Sequence, residues 1–293
     1  MSITETEQRD ISMKIKFWGT RGSIAVPGPD TVLYGGNTTC VEVTLASGRT
    51  VVIDAGTGIR PLGYDLARRP GPTLIHLLIT HIHWDHVIGF PFFDPLYQED
   101  THIIVDGWGR CMEGLRSVFN SKALDGTFPV KFEDLSARFE TSSVLSKGKM
   151  VLDGTVIDSQ PLQHPQGGIG FRFTEGPKKF VFLTDNELLE KGWRGTSYKD
   201  FVRFSRDADL LVHDCQYLTE EMDIRRGWGH SDVEAVAKLA LEAGVKRLAL
   251  FHHDPRRTDP AVEALTKSCS DILAATDGNI EVTAAKEGTT VEV

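Results

Sequence analysis

A chain of 293 residues with 40% hydrophobic and 25% charged side chains has the composition of an ordinary globular protein with a substantial core. Its net charge of −9 and pI near 5.6 offer no general attraction to nucleic acid or anionic membrane, and no apolar run approaches the ~20 residues that span a bilayer. Cys40, Cys111, Cys215 and Cys269 form no CxxC pair and no dense framework, which points to free thiols in a reducing cytoplasm.

Residues 1–12, MSITETEQRDIS, lack a basic n-region and an apolar h-region and read as a disordered tail. Residues 13–293 show no linker, repeat or composition break, so a single domain is expected there. MKIKFWGTRGS starts a strand that runs into a Gly-rich loop. TCVEVTLASGRTVVIDAG reads as a hairpin ending in Asp54 and a tight Gly56/Gly58 turn. PTLIHLLIT is a mostly apolar run of strand length, predicted to be buried on both faces. HIIVDG is a further strand, GRCMEGLRSVFNS a short helix, and residues 123–148 carry no clear pattern. MVLDGTVIDSQPLQHP and IGFRFTEGPKKFVFLTDN give strands with Asp-Gly and Gly-Pro turns, and DADLLVHDCQY another buried strand. SDVEAVAKLALEAG is a helix, with Ser231 as N-cap, Glu234 closing a capping box and Gly244 stopping it. KRLALFHHDP is one more strand, and DPAVEALTKSCSDILAAT the last helix. Hairpins in both halves, followed by strand–helix alternation, predict an α/β protein of two mixed β-sheets with helices outside.

The decisive stretch is ITHIHWDHVIGFPFF. His81, His83, Asp85 and His86 follow directly on a buried strand, where active-site loops of layered α/β proteins lie. Imidazole and carboxylate are ligands for zinc and similar divalent ions, and four such groups clustered without a partner would be costly if buried. His164, Asp185, His213, Asp214, His252 and His253 also sit where strands end. Among the ten histidines, His76 and His102 lie inside apolar runs and suit packing or surface roles.

These ordered elements resemble the metallo-β-lactamase superfamily: a strand ending in Asp54, then T-H-x-H-x-D-H, a lone His164, Asp185, and a histidine after a late strand. The resemblance runs from Met13 to about Pro255 and implies an αβ/βα four-layer sandwich. It assigns His81, His83 and His164 to a first metal, Asp85, His86 and His252 to a second, and Asp185 to a bridge between them. Asp54 would steady the His loop. His253 competes with His252, which is preferred because it comes first after the apolar strand. Two divalent ions are implied, with zinc favoured, and manganese or iron also suits such ligands.

HDCQY followed by GWGHSD resembles the branch that holds the tRNA 3′-processing endonucleases and related phosphodiesterases. There an acidic residue pairs with the histidine of G-H-S, here Asp214 with His230. The implied reaction is phosphodiester hydrolysis by a hydroxide shared between two ions, with His230–Asp214 assisting the leaving group. The stretch between Asp185 and Asp214 is too short for a tRNA-gripping arm. With the acidic charge, this argues against a long nucleic acid and for a small phosphodiester such as a cyclic nucleotide. KFWGTRGS and YGGNTTC look like the openings of cyclic-nucleotide phosphodiesterase-like members, which makes Arg21, Asn37 and Thr38 candidate substrate contacts. Trp84, Phe92 and Phe93 could stack on a base or belong to the core. A tRNA-processing endonuclease and a lactone or ester hydrolase are the alternatives. No membrane partner is expected, and a homodimer is compatible with the resemblance.

Overall fold

The computed structural model describes residues 12–119, 128–190, 192, 195–276 and 278–293. The predicted tail, apart from Ser12, lies outside them. Among the described residues the strands form two seven-stranded sheets.

In the first, β1 (Lys14–Gly19), β2 (Cys40–Thr44) and β3 (Thr50–Ile53) pair antiparallel as the Ala-Ser-Gly turn predicts. Next, β4 (Thr73–Ile79), β5 (Thr101–Gly107) and β6 (Arg138–Thr141) extend the sheet in parallel. The second sheet follows the same plan. Strands β7 (Lys149–Leu152), β8 (Thr155–Pro161), β9 (Ile169–Glu175) and β10 (Lys178–Leu183) pair antiparallel. Then β11 (Leu210–Asp214), β12 (Arg247–Phe251) and β13 (Glu281–Ala284) add in parallel. The chain finally returns to the first sheet, where β14 (Thr290–Glu292) pairs with β1.

The sheets face each other across an apolar layer. Phe17, Val41, Val51 and Leu78 come from one, and Phe171, Phe173, Phe180, Phe182, Val212 and Phe251 from the other. The opposite faces are covered by helices, because the other residues of each strand are apolar too. On the first sheet Ile75, Leu77 and Ile79 pack against Ile59, Leu62 and Leu66 of α1 (Ile59–Leu66) and Leu115 of α3 (Cys111–Ser117). The four-residue α2 (Trp84–Val87) lies in the loop after β4. On the second sheet Val181, Leu211 and Leu248 meet α4 (Tyr198–Ser205), α6 (Val233–Ala243) and α7 (Asp259–Ala274), with short α5 (Met222–Arg225) preceding α6. The result is the αβ/βα four-layer sandwich. Phe182 is fully buried and meets Phe251 edge-on at 5.3 Å. Phe182→Ala is expected to destabilise the protein by about 3–5 kcal/mol, read as a lower urea midpoint.

One local expectation is corrected. Helix α6 is capped by Asp232, whose side chain accepts from the backbone N–H of Glu234 and Ala235, and not by Ser231. The Ser231 hydroxyl instead donates to the Asn186 carbonyl at 2.6 Å. Gly244 does end the helix, in the left-handed conformation at φ 65°.

Candidate metal centre

The parallel strands β3, β4, β10, β11 and β12 all empty onto one edge of the sandwich, and there the candidate residues meet. The chain turns sharply at three of these exits. Asp54, Asp185 and His252 adopt left-handed backbone conformations, with φ of 63°, 57° and 55°. Such φ values are uncommon for residues other than glycine and concentrate where surrounding structure enforces them.

Two principal groups of donors form, joined by one carboxylate, and His230 makes a third, overlapping group with His164 and Asp185. His81, His83 and His164 converge, with His164 Nε2 3.0 Å from His83 Nδ1. Asp85, His86 and His252 form the second group: His252 Nε2 lies 3.1 Å from Asp85 Oδ2 and 3.3 Å from His86 Nε2. Asp185 stands between them. Its Oδ1 is 3.6 Å from His81 Nε2 and 3.9 Å from His164 Nε2, whereas its Oδ2 is 3.3 Å from His86 Nε2 and 3.2 Å from His252 Nε2.

These donors suit divalent cations on grounds internal to the structure. The His81 Nε2 atom is buried and has no hydrogen-bond partner, although it points into the cluster. A buried polar atom left unpaired is costly unless something occupies its lone pair. Each histidine also has its other ring nitrogen held by protein. Asp54 takes His86 Nδ1 at 2.8 Å, Thr80 Oγ1 lies 3.1 Å from His81 Nδ1, and the Gly229 carbonyl lies 3.1 Å from His164 Nδ1. The Gln216 amide lies 2.7 Å from His252 Nδ1, and Gln166 meets His83 Nε2. This is how proteins orient imidazoles toward a metal.

Charge points the same way. Burial disfavours the imidazolium of His81, and its neighbour His86 adds to the effect, so its pKa falls well below the ordinary value and the ring is a neutral donor. Burial opposes ionisation of Asp85 and Asp185, but surrounding histidines hold both well below the usual carboxylate range. His86 is burdened by burial, yet Asp85, Asp185 and Asp54 raise it well above its usual value. Three carboxylates around one imidazole mark an excess of negative charge that cations would offset. Restoring zinc or manganese to chelator-treated protein is expected to raise the thermal midpoint, by about 2.7 kcal/mol of stabilisation at a hundredfold excess over Kd.

Asp54 lies behind this layer. It accepts the Thr80 backbone N–H at 2.7 Å, the Thr80 hydroxyl at 2.8 Å and His86 Nδ1–H, and so ties the end of β3 to the His loop. Beside the clusters, His230 Nδ1 lies 3.2 Å from Asp214 Oδ2. Asp214 is fully buried and also accepts the backbone N–H of Ser231 and Asn186.

A cleft of about 420 Å³ opens over the site, lined among others by Ser23, Trp84, Asp85, Asp185, His230 and His252. Trp84 is 76% exposed on its rim. Phe93 is buried in the core beneath α1, and Phe92 packs against Phe128. His253 turns away from its neighbour and bonds the Ala285 carbonyl at 2.9 Å. The three expected substrate contacts do not reach the cleft lining. Arg21 is fully buried, donating to the carbonyls of Gly35 and Arg257 at 2.8 and 2.7 Å. Asn37 is held by Glu287, and Thr38 exchanges hydrogen bonds with Thr57. Their loop buttresses the site instead.

Sequence reasoning missed the supports: Thr80, Gln166, Gln216 and Gly22. A Cβ on Gly22 would lie 2.4 Å from His252 Nδ1 and 2.5 Å from Gln216 Nε2. Gly22 lies in the TRGS run, but only the packed ring reveals why glycine is required. Gly22→Ala is expected to displace His252 and weaken metal binding about 10–100-fold, measured by calorimetric titration.

A family model described as the beta-lactamase superfamily domain matches residues 49–253. A ribonuclease Z of Sulfurisphaera tokodaii is 30% identical over 209 residues, covering 62% of this chain and 70% of its own. A ribonuclease Z of Lactococcus lactis subsp. cremoris is 25% identical over 312 residues, covering 90% of this chain and 96% of its own. Among solved structures, the metallo-β-lactamase-fold protein YhfI of Bacillus subtilis matches with a TM-score of 0.70 at 18% identity, over 97% of this chain and all of that one. The matched span begins just before β3 and ends at the histidines after β12, and so encloses every donor described above. The chain belongs to the metallo-β-lactamase superfamily of metal-dependent hydrolases, in its tRNase Z-like branch.

Proposed function

We propose that the protein hydrolyses a small phosphodiester, a cyclic nucleotide being the foremost candidate, with two divalent ions, zinc favoured, held by the two donor groups. The observation that carries this reading is the His230–Asp214 pair at the cleft beside Asp185. Ions so held supply Lewis acidity toward a phosphoryl oxygen and make water acidic enough to attack at neutral pH. The remaining steps fall to this chain's side chains. Asp185 keeps the two groups at a fixed spacing. Asp214 accepts from His230 Nδ1–H, which orients the ring and favours its cation, so that Nε2–H faces the cleft and its proton goes to the departing ester oxygen. Trp84 offers a flat apolar face on the rim for a base.

The size of the cleft, the absence of Lys and Arg from its described lining and the net charge of −9 favour a compact, singly charged diester over a polyanion. A second reading has its own support. The relatives bear the name ribonuclease Z, which favours RNA as the diester and weighs against the expectation that long nucleic acids are excluded. Both readings share phosphodiester chemistry. Among the described residues no helix is long and apolar enough to cross a membrane. The four unpaired, buried cysteines accord with a cytoplasmic location.

The test is turnover of metal-loaded protein on 3′,5′- and 2′,3′-cyclic nucleotides, bis-p-nitrophenyl phosphate, a pre-tRNA and a lactone. Efficient turnover of a cyclic nucleotide supports the first reading, and of pre-tRNA the second. Turnover confined to the lactone rejects both.

A further inference from the structure

The strand exit at β11 carries a second histidine, His213, that neither donor group uses. It is fully buried, and its hydrogen bonds close a ring around the acid pair. Asn186, the residue after Asp185, donates from Nδ2 to His213 Nε2 at 3.1 Å, which leaves His213 Nδ1–H to donate to the Asp214 carbonyl at 2.7 Å. The Asn186 backbone N–H donates to Asp214 Oδ1 at 3.1 Å, and the Asn186 carbonyl accepts the Ser231 hydroxyl at 2.6 Å. Ser231 N–H and His230 Nδ1–H then both donate to Asp214 Oδ2, each at 3.2 Å. On its other side, Asn186 Oδ1 accepts the backbone N–H of Gln163, the neighbour of His164, at 3.0 Å. One buried asparagine thus touches the chain next to the first donor group, the partner of His230, and the residue after His230.

We infer that Asn186 and His213 are positioning residues that set Asp214, and through it His230, at a fixed place relative to Asp185. The physical reason is that a carboxylate with two rotatable bonds aligns an imidazole only if its own oxygens are pinned. Here both are: Oδ1 by the Asn186 backbone N–H at the end of β10, and Oδ2 by the Ser231 backbone N–H, whose hydroxyl is tied in turn to the Asn186 carbonyl. Neither residue touches the reacting atoms, so both act through His230. The inference rests on the proposed role of His230 in leaving-group departure.

Two variants test it. Asn186→Ala removes the side-chain bonds and keeps both backbone ones, and His213→Phe keeps ring volume and removes both bonds. Each is compared with the parent and with His230→Ala on two diesters. One is bis-p-nitrophenyl phosphate, whose leaving group departs as an anion unaided, and the other is 2′,3′-cyclic AMP, whose leaving alkoxide needs a proton. The expected result is a loss of about 10–100-fold in kcat on the cyclic nucleotide, less than about threefold on the nitrophenyl ester, and unchanged bound metal by elemental analysis. In the His230→Ala background, adding Asn186→Ala is expected to cost nothing further. Independently of turnover, imidazole-15N spectra recorded above the His230 pKa should show the neutral ring protonated at Nδ1 in the parent and as mixed tautomers in the variants.

Equal losses on both diesters in a folded variant, or losses that add to those of His230→Ala, would overturn the inference. If His230→Ala itself shows no preference between the diesters, the leaving-group reading falls, and the nitrogen spectra then decide. A single unaltered tautomer in both variants rejects the positioning role, and mixed tautomers retain it.

Discussion

Asp185→Ala is expected to abolish turnover and strip metal from both donor groups while the protein stays folded. The expectation follows from the one carboxylate that presents Oδ1 to His81 and His164 and Oδ2 to His86 and His252. Removing it leaves the first group with imidazoles alone and the second with Asp85 as its only carboxylate. Loss of partners that merely orient ligands costs about 10–100-fold in metal affinity, so loss of the shared ligand should cost more than about 10²-fold at each site. Folding should survive for a separate reason. The two sheets are held by the apolar layer between them, which does not include Asp185, so only the contribution of its histidine-paired carboxylate is lost. The left-handed φ of 57° adds a cost of roughly 1–2 kcal/mol for alanine. Asp185→Asn separates the two effects, since asparagine tolerates that backbone but cannot bridge as an anion. Elemental analysis after gel filtration, with a thermal scan, reads both. Full metal occupancy in Asp185→Ala would sink the bridging assignment.

Much of the centre was legible in the sequence because its residues occupy strand exits, and a buried parallel strand announces itself by an unbroken apolar run. LIHLLI, FVFL, LLV and LALF each end within two residues of a side chain of the site: His81, Asp185, Asp214 and His252. The choice between His252 and His253 was not decidable from residues alone. A backbone torsion favours His252: with its left-handed φ the two rings lie on opposite sides, one at the cluster and one at Ala285. Arg21, Asn37 and Thr38 illustrate the opposite failure. Their loop does approach the site, and the Ser23 backbone N–H reaches Asp85 Oδ2 at 2.7 Å. Yet their side chains are spent on long-range partners such as Glu287 and Arg257, from the far end of the chain. The pairing of β14 with β1 was hidden for the same reason. Its three residues carry too short a pattern to declare a strand until β1 offers an edge.

His230→Ala is expected to leave both donor groups loaded while lowering kcat on diesters with alkoxide leaving groups by about 10²–10⁴, the range for a general acid. The ring lies against His252, with centroids 5.2 Å apart, but its hydrogen bond goes to Asp214 and its loss removes no residue of either principal group. Its protonation supports the role. Burial disfavours the imidazolium, but the hydrogen bond to Asp214 and the charges of Asp185, Asp214 and Asp85 outweigh it, so its pKa lies above the ordinary value. A raised pKa means that the acid form persists to higher pH than in a free imidazole and is lost as pH rises through that value. Turnover of the parent should therefore fall on the alkaline side for alkoxide leaving groups, and the variant should lack that limb. Asp214→Asn should act in the same direction, since an amide can accept from His230 but cannot stabilise its cation. The decisive comparison is the leaving group. A His230 that only fills space would slow nitrophenyl and alkyl diesters alike, whereas a proton donor is missed only where the departing oxygen is basic. Equal slowing on both, with metal retained, would show that the pair shapes the cleft rather than delivering a proton.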